Sequence, residues 1–349
     1  MIELDPIAAI GATRLLHVAN GTSTTTTIEA AGIPGARSIW ADPLYDGPVP
    51  GGITDSELLE VRRRHLAEPG ELTSSSWGGN NPALDPANDM RAWRAAMERH
   101  DAYDELILWF EHDLFDQLSL IQLLTWIREH VPASKLISLV SVDSFPGRPD
   151  FKGLGELTPR ELVTLLDTRQ RVSGSQYDLA QRAWDAFRAS TPEALDAIRH
   201  ENTAALPYLA ASITRFLQEY PWTIDGLSRT ERRLLELASG LGITLSNAFP
   251  QMHLGERAYY VTDGTVAELA ETLSRTSPAL LTLQMSKADD RRSLRGHVTL
   301  TDAGRAVLSG ERDRVATCGI DRWFGGVHLQ TDGPIWRWDD LRQRIISER

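Results

Sequence analysis

The protein has 349 residues, of which 42% are hydrophobic and 24% charged, a composition typical of a globular chain large enough for two domains. Its formal net charge is −12, from 36 Lys and Arg against 48 Asp and Glu. The electrostatic field of this net negative charge disfavours non-specific binding to DNA or to anionic membranes. The single cysteine, Cys318, excludes an intrachain disulfide framework and a cysteine-based zinc site.

The beginning of the sequence has no basic region followed by an apolar run, so we expect no signal peptide. No apolar run approaches the roughly 20 residues that a membrane-spanning helix requires. These observations predict a cytoplasmic protein that does not associate with membranes. The sequence contains no internal repeat, and it leaves a homodimer open.

Strands and helices alternate over residues 1–150, which we predict to be an α/β domain. The predicted strands cover residues 14–19, 36–40, 106–110 and 135–142. The predicted helices are one that begins after Gly21 and ends at Gly32, and those at 55–67, 89–100 and 114–130. Such alternation implies a mainly parallel sheet with flanking helices. Residues 1–13 are predicted to be a loose arm, and the loop at 74–86 is a candidate lid.

The pattern changes after this domain. Residues 151–226 are predicted to be a helical linker region, with helices that begin at Thr158 and cover residues 174–188, 191–201 and 206–219. Residues 227–349 predict a winged-helix-like module, with helices at 228–239, 265–274 and 302–309, wing strands at 280–284 and 297–301, and a wing tip at 289–292. The sequence of the tail, after Cys318, predicts one hairpin that carries Trp323, Trp336 and Trp338.

The most informative stretch lies at the end of the third predicted strand. Residues Leu106 to Phe110 are all apolar, which is typical of a strand covered on both faces. A group of polar residues follows at once: Glu111, His112, Asp113, Asp116 and Gln117. This abrupt change is difficult to explain by core packing, so we predict a functional site here.

Polar residues follow the other predicted strands as well. They are Asn20, Gly21, Thr22 and Ser23 after the first strand, Asp42 after the second and Asp143 after the fourth. Ligands of open parallel sheets bind beyond the carboxyl ends of the strands, where these residues would meet. We therefore expect one site at this edge of the sheet.

The polar group after the third strand suggests two kinds of chemistry. Glu111 and Asp113 alternate along the chain and are predicted to point to one side, while Asp113, Asp116 and Gln117 share a helix face. Converging carboxylates and the His112 imidazole suit a divalent metal or general acid–base catalysis, although no standard metal-binding motif is present. The alternative is structural: Asp113 caps the helix, Asp116 favours its dipole and His112 bonds a backbone carbonyl.

The turn from Asn20 to Ser23 predicts an anion site. Free backbone N–H groups at a helix N-terminus, together with hydroxyl groups, suit phosphate or carboxylate; ordinary capping is the alternative. Gln117 and Asp42 are further candidate ligand contacts, although Asp42 also suits a turn. Arg322 and His328 would complete the site if the tail folds over the sheet edge. The alternative for the tail is that its tryptophans anchor a core.

Three segments together resemble the bacterial family catalogued as domain of unknown function eighteen thirty-five. They are His17-Val-Ala-Asn-Gly-Thr-Ser23, Trp109-Phe-Glu-His-Asp-Leu-Phe-Asp-Gln117, and Gly319-Ile-Asp-Arg-Trp-Phe-Gly-Gly-Val-His-Leu329 with Trp336-Arg-Trp338. The resemblance covers most of the chain. It implies an N-terminal α/β domain followed by a helical C-terminal region, and it implies no activity.

We therefore predict an enzyme, a hydrolase or group transferase, that acts on a small phosphorylated or otherwise anionic metabolite, such as a nucleotide. Glu111, His112, Asp113 and Asp116 would bind a divalent metal or move protons. No nicotinamide, flavin or haem signature is present. The alternatives are a ligand-sensing regulator that binds nucleic acid and a non-catalytic protein-interaction module.

Nucleic acid is the less favoured partner of the winged-helix-like module. The helix expected to enter a DNA groove carries Glu268 and Glu271, and its first basic residue is Arg275. A groove helix needs basic and amide side chains. The wing arginines, Arg291, Arg292 and Arg295, could contact phosphate, but exposed wings are often charged. We expect packing or dimerisation as the role of this module.

Overall fold

The computed structural model describes residues 13–67, 86–285, 294 and 296–348. The predicted N-terminal arm, apart from its last residue, lies outside the described residues, and so does the candidate lid up to residue 85. The predicted wing tip at 289–292 and the wing arginines Arg291, Arg292 and Arg295 lie outside them as well.

The secondary structure of the described residues is as follows. The strands are β1 Leu15–Ala19, β2 Ala36–Ile39, β3 Gly47–Pro48, β4 Glu105–Glu111, β5 Leu136–Val142, β6 Gln170–Arg171, β7 Ile243–Thr244, β8 Leu281–Met285, β9 Gly296–Leu300, β10 Asp321–Gly325, β11 Val327–Gln330, β12 Ile335–Asp339 and β13 Arg344–Glu348. The helices are α1 Thr22–Ala30, α2 Asp55–Ala67, α3 Pro86–Glu98, α4 Leu114–His130, α5 Pro159–Leu166, α6 Gly174–Phe187, α7 Glu193–Ile198, α8 Leu209–Leu217, α9 Arg229–Ala238, α10 Leu245–Met252, α11 Asp263–Arg275, α12 Asp302–Leu308 and α13 Arg314–Cys318.

A five-stranded, mainly parallel sheet organises the first half of the chain, which confirms the predicted α/β class. The strand order is β2-β1-β4-β5-β6, and only the short edge strand β6 is antiparallel to its neighbour. Every residue of β4 is buried. Leu106, Leu108 and Phe110 join the core that includes α4, whereas Ile107 and Trp109 pack with residues of α1 and α5 on the other face. An apolar strand is stable in this position because helices cover both faces.

The strand order places a topological switch point between β1 and β4. The chain leaves β1 toward β2 on one side, and it leaves β4 toward β5 on the other. In open sheets of this kind, a crevice forms at the carboxyl ends of the two strands where the connections diverge. Asn20 follows β1 and His112 follows β4, so the predicted site residues around them start at this crevice.

Asp42 has a structural role that the sequence did not predict. Its carboxylate accepts hydrogen bonds from Arg62 of α2, at 3.0 Å from Nε and 2.7 Å from Nη2, and both side chains are fully buried. The Arg62 Nη1 group donates to the Asp46 carbonyl at 2.7 Å. The ion pair therefore holds the loop between β2 and β3 on α2, and the assignment of Asp42 to ligand binding is corrected.

The described part of residues 151–226 is mainly helical, with β6 as an addition that the sequence pattern did not predict. In the next region α9, β7, α10, α11, β8 and β9 follow one another, and their strands form an antiparallel sheet of order β7-β9-β8. Among the described residues, no helix is both long and apolar enough to cross a membrane.

The tail contains two hairpins where one was predicted. Trp323 lies on β10, which pairs with β11, whereas Trp336 and Trp338 lie on β12, which pairs with β13. Strand β10 also pairs in parallel with β3. The tail therefore packs on the loop that Asp42 and Arg62 hold. It does not fold over the carboxyl ends of β1 and β4, which is the arrangement that the predicted role of Arg322 and His328 requires.

Replacing Arg62 with Met is expected to destabilise the protein by about 3–5 kcal/mol, because the Asp42 carboxylate would stay buried without its partner. Urea unfolding measures the loss. Arg64→Met on the same helix is the control, since Arg64 is exposed and should matter little. Equal losses in the two variants would contradict the structural role of the ion pair.

Candidate functional site

Asn20 joins the ends of β1 and β4 through a hydrogen-bond network. Its Nδ2 group donates to Oδ1 of Asp116 at 2.9 Å, and its Oδ1 accepts the Thr24 hydroxyl at 2.9 Å, which fixes the orientation of the amide. The other carboxyl oxygen of Asp116 accepts the backbone N–H of Glu111. Asn20 also interacts with the Glu111 carboxyl. The two strand ends and the first turn of α4 therefore form one unit.

A glycine turn covers the Glu111 carboxyl group. The backbone N–H of Leu154 donates to Glu111 Oε2, and a Cβ atom on Gly153 would lie only 2.1 Å from Oε1. The same turn contacts α1, because the Ser23 hydroxyl donates to the Gly155 carbonyl at 3.3 Å. Glu111 is consequently 7% exposed, and Asp116 is fully buried.

Asp113 and Gln117 stabilise the turn from strand to helix. Asp113 caps α4, since its Oδ1 accepts the Asp116 N–H at 2.8 Å. The Gln117 side chain is buried and donates to the Glu111 carbonyl at 2.7 Å. Asp113 thus adopts the capping role that was the alternative from sequence. The expectation that Gln117 contacts a ligand is corrected, because its amide binds within the protein.

The carboxyl groups of this cluster have raised pKa values. Burial raises the pKa of Glu111 well above its usual value, and the charges of Asp116 and Asp113 raise it further. Burial and the Asp113 charge raise the pKa of Asp116 in the same way, and burial raises the pKa of Asp113 to about 6. No cation in the described part of the chain contributes to these shifts. Burial and mutual repulsion therefore favour the protonated forms of Glu111 and Asp116, which titrate as an interacting pair.

His112 lies apart from this pair, among aromatic rings. The centroids of Phe151, Tyr208 and Tyr260 lie 6.4, 6.2 and 6.1 Å from the imidazole. Burial lowers the pKa of His112, partly opposed by the nearby Asp143 charge and two backbone carbonyls, so the ring is neutral at pH 7. Its Nδ1 atom is buried and has no hydrogen-bond partner among the described residues. His112 therefore has an unpaired Nδ1 atom buried among aromatic rings.

The N-terminus of α1 beside Asn20 has no side-chain cap. Gly21 is its N-cap residue, the first turn contains no acidic residue, and a Cβ atom on Gly21 would meet no atom within 4 Å. Thr22 and Ser23 are exposed. The positive end of this helix therefore faces open space next to the carboxyl cluster, an arrangement that favours an anion.

Arg322 and His328 do not reach this site. The Arg322 guanidinium lies over the Phe324 ring, with Cζ 4.7 Å from the centroid, and His328 stacks on Trp323 with centroids 4.3 Å apart. His328 Nε2 also lies 2.6 Å from Asp321 Oδ1. Both residues belong to the hairpin that packs on β3, so their expected place over the sheet edge is corrected.

Several groups at the site were missed from the sequence. Gly153 and Leu154 cover Glu111, and Tyr208 and Tyr260 border His112. The two glycines at positions 153 and 155 were the available signal, because paired glycines often mark a close approach of the backbone. The tyrosines carried no signal, since they come from regions distant in sequence.

The residues present do not fit a metal centre. Among residues 13–67, 86–285, 294 and 296–348, no group of three or more His, Cys, Asp or Glu side chains is arranged to hold a metal ion. Both Asp116 oxygens and one Glu111 oxygen already accept N–H groups. The predicted divalent metal stays a prediction, and no step of the chemistry below depends on it.

No protein-family model matches the chain, and no curated protein matches it. The resemblance to domain of unknown function eighteen thirty-five therefore stays a prediction. What the site does must be inferred from its own geometry and electrostatics.

Gly153→Ala is expected to destabilise the protein by about 1–3 kcal/mol, because the new methyl group would overlap the Glu111 carboxyl. Gly174→Ala is the matched control, since a Cβ atom there meets nothing within 4 Å and alanine favours the helix. Urea unfolding measures both. The loss should shrink in a Glu111→Ala background, and an unchanged loss there would contradict the proposed contact.

Asp116→Asn is expected to gain stability relative to the native chain as pH rises from about 5 to about 8. A carboxyl whose pKa is raised on folding stabilises the folded state below its unfolded pKa, near 4, and this contribution is lost as pH rises toward the folded pKa. The amide keeps the uncharged form at every pH. Urea unfolding across this range measures the difference.

Glu60→Gln is the control for this titration. Arg63 and Arg64 lower the pKa of Glu60 to about 2, so its protonation does not change in the same range. The difference in unfolding free energy between Glu60→Gln and the native chain should stay the same at every pH in this range. A constant difference between Asp116→Asn and the native chain would show that Asp116 is already ionised in the folded protein.

Proposed function

We propose that the protein is an enzyme, a hydrolase or group transferase, that acts on a small phosphorylated or otherwise anionic metabolite by general acid–base catalysis. The observation that supports this proposal most is the Glu111–Asp116 pair, bound to Asn20 at the switch point of the sheet. Burial raises the pKa values of both carboxyl groups and so favours their protonated forms, which is what a general acid requires.

The anion would bind at the N-terminus of α1. The exposed hydroxyls of Thr22 and Ser23 and the backbone N–H groups of the first turn supply donors there, and no acidic side chain competes in that turn. Binding at this point would bring the substrate beside Asn20 and the carboxyl cluster. Orientation of this kind is a large part of the rate gain in acyl and phosphoryl transfer.

Asp113 is our candidate general base. Its pKa of about 6 leaves it mainly ionised at pH 7, and its side chain is only half-buried. In hydrolysis, Asp113 would accept a proton from the attacking water as the new bond to oxygen forms. The Glu111–Asp116 pair would supply a proton to the leaving oxygen as its bond breaks, and the two proton transfers balance.

The aromatic rings around His112 favour a substrate with a planar group. Tyr208 and Tyr260 are partly exposed beside the imidazole, Phe151 is buried on its other side, and the buried Nδ1 of His112 lacks a partner in the described structure. A nucleobase can both stack on such rings and hydrogen bond to an imidazole nitrogen. This is why we keep a nucleotide-like metabolite as the substrate class.

We also propose that residues 227–349 contain a winged-helix-like module, since the order of helices and strands over residues 229–300 and their antiparallel sheet resemble that arrangement. Its α11 is poorly suited to a DNA groove. The exposed charges on α11 are Asp263, Glu271 and Arg275, and Arg275 pairs with Glu271 at 2.6 Å. Packing against the rest of the chain is therefore the role that we assign to this module.

Thr22→Glu tests the anion site with inorganic phosphate as the probe. The new carboxylate should stabilise α1 through the helix dipole and at the same time repel the anion. We expect phosphate to raise the melting temperature of the native chain and of the control Thr22→Gln, and to leave that of Thr22→Glu unchanged. An equal rise in all three proteins would contradict the site.

The native chain can be tested for turnover of p-nitrophenyl phosphate and of a panel of nucleotides. Asp113→Asn should lower turnover by at least about 100-fold while phosphate binding is retained. Asp178→Asn, on the exposed face of α6, is the matched control. Turnover that survives Asp113→Asn, or its absence with every substrate, would overturn the proposed acid–base role.

A further inference from the structure

A cavity lies where four segments of the chain meet, and the residues of the carboxyl cluster do not line it. Its volume is about 460 Å³, within the range of small-molecule sites. Its wall includes Tyr45 and Asp46 before β3, Glu219 after α8, Leu269 of α11 and Arg322 of β10. None of Asn20, Glu111, Asp113 or Asp116 lines it, so this cavity is a different site.

Arg322 presents unused hydrogen-bond donors in this cavity. Within the described part of the chain its guanidinium forms no hydrogen bond or ion pair, and its direct contact is the Phe324 ring. Its Nε atom is buried without an acceptor. Because arginine carries five N–H donors and a permanent charge, such a group needs an acceptor that the protein itself does not supply.

The acidic groups of the wall have partners of their own. These pairs are Asp46 with His65 at 3.2 Å, Glu219 with Arg215, Glu231 with Arg314 at 3.4 Å, and Asp321 with His328 at 2.6 Å. Arg322 acts on Asp46 and Glu219 only at longer range. Its guanidinium therefore stays available, and its planar fork suits the two oxygens of a carboxylate or phosphate.

The remaining wall combines apolar and aromatic side chains with hydroxyl groups. Tyr259, Leu269, Ile320 and Phe324 supply the apolar and aromatic surface, and the hydroxyl groups are those of Ser228, Thr230, Thr265, Thr272 and Thr331. We propose that the cavity binds a small organic anion, whose carboxylate or phosphate pairs with Arg322 and whose apolar or aromatic body lies against these side chains. The site is independent of the acid–base function proposed above.

Binding at this cavity would also fasten distant segments together. The loop that carries Asp46, the helices α9 and α11, and the tail that carries Arg322 all contribute to its wall. A ligand that contacts them in the folded state alone must stabilise that state by mass action. A rise in melting temperature is consequently the direct readout of binding.

The test uses two anionic probes and one neutral probe on the full chain. 1-Naphthoate carries a carboxylate, 1-naphthyl phosphate carries a phosphate, and 1-naphthalenemethanol has the same rings without a charge. We expect saturable binding of at least one anion by calorimetry, with a matching rise in melting temperature, and much weaker binding of the neutral probe. The anion that binds more tightly identifies the preferred acidic group.

Arg322→Gln should weaken binding of the anion at least about tenfold, a change of about 1.4 kcal/mol. Arg322→Lys keeps the charge but loses the fork, and an intermediate affinity is expected. Arg312→Gln, which removes an exposed cation from the same segment, should bind as the native chain does. Asp113→Asn should also bind normally, which separates this site from the proposed acid–base centre.

The proposal is overturned if the folded native chain binds neither anion saturably, or if Arg322→Gln and Arg312→Gln bind equally well. Circular dichroism establishes that each variant is folded. If Arg322→Gln does not fold, Arg322→Lys decides: an affinity equal to that of the native chain removes Arg322 from the site, and a reduced affinity supports it.

Discussion

The hydrogen bond between the Asn20 amide and the Asp116 carboxyl is the interaction on which the site depends. It crosses the switch point of the sheet, and Thr24 and the Glu111 backbone fix the groups on either side. The described structure places no cation beside these acids. Since burial and the neighbouring acids disfavour the charged forms, the pKa values of Glu111 and Asp116 are raised and their protonated forms are favoured in the fold. The burial of the cluster and the protonation of its carboxyl groups are therefore linked.

This constraint also explains the neighbourhood of the cluster. Gly153 approaches Glu111 so closely that a Cβ atom there would overlap the carboxyl group, and the Leu154 N–H binds that carboxyl directly. One oxygen of Asp113 accepts the hydrogen bond that caps α4, and the residue stays partly exposed to solvent. Natural proteins accept such locally unfavourable arrangements mainly at functional sites. A buried acid pair, a partly exposed acid and an uncapped helix end next to one another are the features on which the proposed function rests.

The sequence was sufficient where the determinants are local. Helices α2 and α4 were predicted with their observed ends, and the helix expected to begin at Thr158 is α5, for which Thr158 is the N-cap residue. The meeting of Asn20 with the end of β4 followed from parallel sheet topology alone. The partner of Asp42 was not predictable, because a carboxylate after a strand suits a ligand and a buried arginine equally well. The pairing of β10 with β3 was missed for a similar reason, since two-residue strands leave no periodic pattern and the partners are distant in the chain.

The two candidate sites share one short segment of backbone. Tyr259 lines the cavity of Arg322, while Tyr260 packs on His112. The Leu114 N–H donates to the Ala258 carbonyl at 2.6 Å, so the start of α4, directly after Asp113, is bound to the same segment. Consecutive residues of an extended chain point to opposite sides, which lets one stretch serve both walls. The short segment from Ala258 to Tyr260 thus contacts the wall of the proposed anion cavity, the surroundings of His112 and the start of α4.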